Sequence, residues 1–153
     1  MTNYWLMKSE PDAFSIDDLK NAPHKTEHWD GVRNYQARNF MRDRMKKGDQ
    51  AFFYHSNCKT PGIAGVMMIT KEGYPDFTAH DPRNTHFDPK STPDDPRWYM
   101  VDVRYVRSLK RIISLNELKQ YAELKTMPLV QRGNRLSVMP VTAGQWQFIL
   151  NLE

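Results

Sequence analysis

Two apolar runs, Gln50–His55 and Ile63–Thr70, flank a polar turn, Ser56–Gly62, that carries Asn57, Pro61 and Gly62. Aromatic and β-branched residues bounded by turn formers predict two strands joined by a wide loop. The pair carries Phe52, Phe53, Tyr54, Ile63, Val66, Met67, Met68 and Ile69, so it belongs at the centre of the core. At 153 residues the chain is long enough for one core that hides about two-thirds of the unfolded surface, and one domain over residues 1–153 is expected.

The other segments read as short elements around this hairpin. Tyr4–Lys8 is a strand that stops at Ser9-Glu10-Pro11. Ser15 caps a short helix with acids in its first turn, ending near Asn21. Lys25–Trp29 is a short strand closed by Asp30-Gly31. Asn34 caps a helix from Tyr35 to Lys46, whose apolar stripe is Ala37, Phe40, Met41 and Met45. Trp98–Val106 alternates in polarity as a strand does. Ser114 with Glu117, and Thr142 with Gln145, have capping-box spacing for two later helices. Gln131–Pro140 reads as a loop plus a strand. Strands this short and interrupted argue against a doubly wound sheet. An α+β fold with a curved β-sheet or β-barrel flanked by helices is expected.

Residues 74–96 break the pattern. They hold Pro75, Pro82, Pro89, Pro93 and Pro96, and a loop this long within a compact domain is usually functional or mobile. Its His80, Asp81, His86 and Asp88 are the one local metal-like cluster, and a solvated loop is the stronger reading of them. Neither a metal site nor a cofactor is expected.

Several function classes are excluded by content. No apolar run approaches the length of a membrane span, and Met1–Lys8 lacks the basic and apolar regions of a secretion signal. One cysteine, Cys58, permits no internal disulfide, which fits a reducing compartment: cytoplasmic for a bacterial chain, nuclear for a eukaryotic one. Its neighbour His55 does not make it a nucleophile, since a positioned base and an orienting group are also needed. The net charge of +4 is modest, but residues 101–153 carry eight basic and four acidic side chains, so the excess is local.

Trp29 has polar sequence neighbours and stands before Arg33 and Asn34. Core packing and a pocket wall are both open to it; the latter would suit stacking on a planar base. His55-Ser56-Asn57 ends a strand with three polar groups, as pocket walls and simple turns both do. Arg132-Gly133-Asn134-Arg135 is a solvated turn or a phosphate grip.

Several blocks together carry a resemblance. They are Met7-Lys8-Ser9-Glu10-Pro11, Trp29-Asp30-Gly31-Val32-Arg33-Asn34-Tyr35-Gln36, Phe53-Tyr54-His55-Ser56-Asn57-Cys58, Trp98-Tyr99-Met100-Val101-Asp102-Val103 and Arg132-Gly133-Asn134-Arg135-Leu136-Ser137-Val138. In this order they resemble the EVE domain family across essentially the whole chain. The resemblance implies a PUA-like fold related to YTH and ASCH domains. It also implies a non-enzymatic module that binds DNA or RNA carrying modified cytosine, with the base flipped into a pocket. By likeness to the YTH readers, Ser9, Trp29 and Asn34 would hold the base, with His55, Ser56 and Asn57 as the opposite wall. Lys8, Arg132 and Arg135 would hold phosphates. Phe87 or Tyr54 would supply a second aromatic. Two rivals stay open: an ASCH-like hydrolase of a modified nucleobase or nucleoside, using Lys8 and Glu10, and a pocket for a ligand other than nucleic acid.

Overall fold

The structure is a computed structural model describing residues 2–153; Met1, the first residue of the Met1–Lys8 stretch read for a secretion signal, lies outside them. Six strands form one sheet: β1 (Tyr4–Ser9), β2 (Thr26–His28), β3 (Gln50–His55), β4 (Gly62–Pro75), β5 (Tyr99–Ser114) and β6 (Val138–Val141). Their order is β2-β5-β4-β3-β1-β6. Only β1 and β3 run parallel; the other neighbours are antiparallel.

The predicted hairpin is β3–β4, and both of its faces are covered. Ala51 and Phe53 face one cluster with Trp5, Met7, Met67 and Val101, while Phe52 and Tyr54 face another with Leu6, Ile63, Val66 and Trp146. A strand buried on both faces reads as a continuous apolar run, which is why Ala51–Tyr54 shows no alternation.

β4 and β5 are longer than the sequence pattern predicts. β4 runs on to Pro75 and β5 to Ser114, through repeated register shifts such as those at Val66/Met67 and Ile69/Lys71. Each shift breaks the two-residue period, and bulged strands bend and twist more strongly. The sheet curls accordingly. Its two edges, β2 and β6, are not hydrogen-bonded to each other among the described residues; β2 borders a cleft that Ser137, the residue before β6, also lines.

The helices start where their caps predict. Ser15 and Asp18 exchange side-chain and backbone bonds ahead of α1 (Ile16–Lys20). The Asn34 side-chain oxygen accepts the Ala37 N–H at 2.9 Å and opens α2 (Tyr35–Asn39), which continues as a π-helical turn over Phe40–Arg44. Thr142 and Gln145 form a full capping box for α4 (Ala143–Leu150). Ser114 caps α3 (Leu115–Leu118) from one side only. The expected reciprocal bond from Glu117 is missing because its carboxylate is held by Arg111 at 2.6 and 2.9 Å and by the Tyr121 hydroxyl. α3 is correspondingly shorter than the predicted Ser114–Tyr121 helix.

The proline-rich stretch is tied down by carboxylates. Asp88 accepts the Trp98 indole N–H at 2.7 Å and the Lys90 N–H at 2.9 Å. Ser91, itself buried, bonds both His80 and the Arg97 N–H. Among the described residues no helix is long and apolar enough to cross a membrane.

Candidate functional site

A cleft of about 480 Å³ opens between β2 and the end of β1. Ligand pockets commonly fall between about 300 and 1,000 Å³, so the space suits one base-sized group. Glu27 and His28 of β2 form one wall, continued by Trp29, Asp30 and Gly31; Lys8, Ser9 and Glu10 at the end of β1, with Ala13 and Phe14, form another; Ser56, Ser137 and His86 complete it.

Trp29 sits in both places the sequence leaves open. Its backbone N–H donates to the Val101 carbonyl at 2.8 Å, extending the β2–β5 pairing by one residue. Its ring is 6% exposed and meets Phe53 edge-on, centroids 5.2 Å apart. One edge is therefore packed in the core while the side chain still lines the cleft.

The wall beyond Trp29 is fixed by a buried carboxylate. Asp76 has no exposed surface and receives the Gly31 N–H at 2.9 Å, the Thr78 N–H and hydroxyl, and the Arg33 guanidinium at 3.0 Å. Burial, the largest single influence, pushes its carboxyl upward, but these hydrogen bonds together outweigh it and hold it below the usual aspartate range. Arg33 reaches further and donates to the His86 carbonyl at 2.7 Å. This brings the His86 ring over Gly31, where a Cβ would lie 2.5 Å from it. Gly31 has φ +81°, a left-handed conformation that favours glycine. His86 Nδ1 lies 3.5 Å from Asp30 and, though buried, has no hydrogen-bond partner.

A second concavity of about 710 Å³ lies across Lys8 from the first. Lys8, Lys119, Lys125 and Arg132 line it with Tyr54, Gln131, Gly133 and Asn134, and no carboxylate is present in its wall. Burial lowers the Lys8 ammonium from its ordinary pKa. It pushes the Tyr54 phenol up to about 12, with a smaller contribution from Cys58.

Of the residues singled out in sequence, Lys8, Ser9, Trp29 and Ser56 come together at the cleft, and Lys8 and Arg132 at the groove. Asn34, His55, Asn57 and Arg135 line neither. Asn34 is exposed, and its side-chain oxygen is spent on the α2 cap. The His55 Nε2 accepts the Ile16 N–H at 3.1 Å, and burial lowers the ring's pKa, which keeps that acceptor available. Asn57 turns the chain at φ +52° and donates to Glu10. Neither Phe87 nor Tyr54 supplies the cleft's second aromatic: Phe87 is a surface residue and Tyr54 faces the groove. The other rings that line the cleft are those of Phe14, His28 and His86, which sequence reasoning did not assign.

The EVE domain family model matches residues 3–152. Mouse thymocyte nuclear protein 1 is 55% identical over 170 aligned residues, which cover the whole chain and 74% of that protein. The crystal structure of human THYN1 protein in complex with 5-methylcytosine-containing DNA superposes with a TM-score of 0.94 at 52% identity, over 99% of this chain and 97% of that one. The YTH domain of Zygosaccharomyces rouxii MRB1, solved with N6-methyladenosine RNA, shares the fold at a TM-score of 0.56 and 14% identity, over 99% and 83%. A family model that matches residues 3–152 and a relative 55% identical over the whole chain establish that the protein belongs to the EVE domain family.

Proposed function

We propose that this chain is a non-enzymatic nucleic-acid-binding module that takes a modified base, of the modified-cytosine type, into the Trp29 cleft. The observation that carries this reading is the meeting of an aromatic, base-sized cleft with a cation-lined concavity at one residue, Lys8. The human relative solved with 5-methylcytosine-containing DNA supports the same ligand class here. Trp29 would stack on the flipped base, an interaction worth about 1–3 kcal/mol per base. Ser9, whose hydroxyl donates to the Phe14 carbonyl at 2.7 Å and so would meet the base edge as an acceptor, and Ser56 line the cleft, and Asp30 would offer an acceptor for an exocyclic amine, the group by which cytosine is distinguished. Lys8 and Arg132 would meet phosphates, whereas Arg135, which lines neither space, would not. Asn34, His55 and Asn57 would act indirectly, by fixing α1, α2 and the turn behind the cleft.

Calorimetry on otherwise identical oligonucleotides carrying methylated, hydroxymethylated or plain cytosine tests the reading. Tighter binding of a modified form is expected; equal, negligible binding of all three would overturn it.

One observation favours hydrolysis of a modified nucleobase or nucleoside as a second reading: Lys8 and Glu10 line the same cleft, and burial lowers the Lys8 pKa, so that more of its amine is neutral and free to take a proton than in an ordinary lysine. Against it, Glu10 is already engaged by the Asn57 amide. Turnover of methylated or acylated cytidine, abolished in Lys8→Ala, would favour the enzyme.

A further inference from the structure

The groove across Lys8 gathers four cations into one concavity whose lining has no carboxylate. Several other cations are matched locally, Arg33 by Asp76, Arg42 by Asp43, Arg97 by Asp88, Arg107 by Glu153 and Arg111 by Glu117. Around the groove, Lys8, Lys119, Lys125 and Arg132 have no carboxylate within 4.0 Å among the described residues. Four like charges facing one concavity repel one another, and an anionic guest relieves that repulsion.

The concavity is also held in shape. The Gln131 amide donates to the Lys125 carbonyl, closing the turn between them, and the Lys8 N–H donates to the Ser137 carbonyl at 2.8 Å. The single segment 131–137 therefore borders both spaces, with Arg132 and Asn134 on the groove and Ser137 on the cleft. A strand that delivers a base past Lys8 must lay its adjoining backbone against this segment.

We infer that the groove is a phosphodiester track in which Lys119 and Lys125, together with Lys8 and Arg132, hold the nucleotides next to the one in the cleft. The inference rests on the base-reading proposal for its direction of travel, but its chemistry is separate: the track reads charge and carries no base selectivity. Arg135, which lines neither space, lies off it.

The test is fluorescence anisotropy with a labelled single-stranded oligonucleotide carrying one 5-methylcytosine, and with its unmodified twin, over a salt series. The proteins are the intact chain, the double variant Lys119→Gln/Lys125→Gln, and a charge-matched control, Lys47→Gln/Lys71→Gln, at exposed positions that line neither space. Each single-strand phosphate contact contributes about 0.7 to the log–log salt slope. Losing two should flatten the slope by about 1.4 and weaken binding on the order of 10- to 30-fold near 0.1 M salt. Both oligonucleotides should weaken alike, and the control should leave the slope unchanged. A slope unchanged by the groove variant, with selectivity for the methylated strand intact, overturns the track and leaves the reader standing. A slope that flattens while the two strands bind equally supports the track and overturns the reader. Absence of binding to either strand overturns both. Displacement of the strand by an oligo-glutamate of the same charge as effectively as by an unlabelled oligonucleotide overturns the track in favour of an acidic polypeptide.

Discussion

The Trp29 cleft and the neighbouring groove share Lys8 and little else. The cleft is walled by three carboxylates, from Glu10, Glu27 and Asp30, and by the rings of Phe14, His28, Trp29 and His86. The groove is walled by four cations with no acid. An acidic, aromatic cavity repels phosphate but accepts a planar group with hydrogen-bond donors on its edge. A cationic trough accepts any polyanion without discrimination. On the proposed reading, the division puts selectivity in one space and most of the attraction in the other. The cleft depends on long-range ties such as Arg33–Asp76, whereas the groove is bordered by consecutive turns between Leu115 and Asn134.

That difference is breakable. The largest effect is expected from Trp29→Ala, which removes a buried ring and should cost about 3–5 kcal/mol of stability, read as a lower midpoint in denaturant. The milder Trp29→Phe keeps the fold and should lose preference for the modified base while retaining the salt slope of the groove. If Trp29→Phe flattened the slope and kept the preference, the assignment of the two spaces would be reversed.

Asp76→Ala comes next. It leaves Arg33 without its buried partner, frees the Gly31 and Thr78 N–H groups, and should cost about 3 kcal/mol. The same tie predicts an acid response. The folded-state carboxyl is held below its unfolded value, so its stabilisation is complete above the ordinary aspartate pKa of about 3.9 and is lost as pH falls through the lower folded value. Hydrogen exchange in residues 76–98 should rise over that range ahead of the strands, and should no longer change there in Asp76→Asn.

Gly31→Ala should cost about 2 kcal/mol through its positive φ and should also displace the His86 ring. Base preference should fall, with salt dependence unaltered. The smallest effect is expected from Arg135→Gln, an exposed residue off both spaces: less than about 0.7 in salt slope and no change in preference. A larger loss than from Lys119→Gln would move the backbone path towards Arg135.

Much of the architecture was legible in sequence because its causes are local. Ser15, Asn34 and Thr142 cap helices by reaching three residues ahead, and the two-faced hairpin at Gln50–Thr70 declares itself by its unbroken apolar run. Trp29 stood out because a large ring among polar neighbours has to be explained. The rest of the cleft was not legible for the opposite reason. Phe14, Glu27 and His86 meet only through contacts between the loop after β1, β2 and the stretch before β5, which are far apart in sequence, and the register shifts of β4 and β5 break the very alternation by which strands are recognised. His55 and Asn57 misled for a related reason. A polar strand end looks the same in sequence whether it faces a ligand or holds a neighbouring turn, and here both residues hold turns.

The position of Lys8 bears on how any ligand's affinity can be apportioned. Lys8 lines both spaces, so on the proposed reading one ammonium would serve two guests, a base on one side and a phosphate on the other, and two groups that share a partner do not contribute independently. Truncating the ligand to a free nucleoside, or to an abasic strand, should therefore give two affinities whose free energies do not sum to that of the whole. The shortfall or excess is a coupling energy assigned to a single side chain, and a double-mutant cycle through Lys8 would measure it.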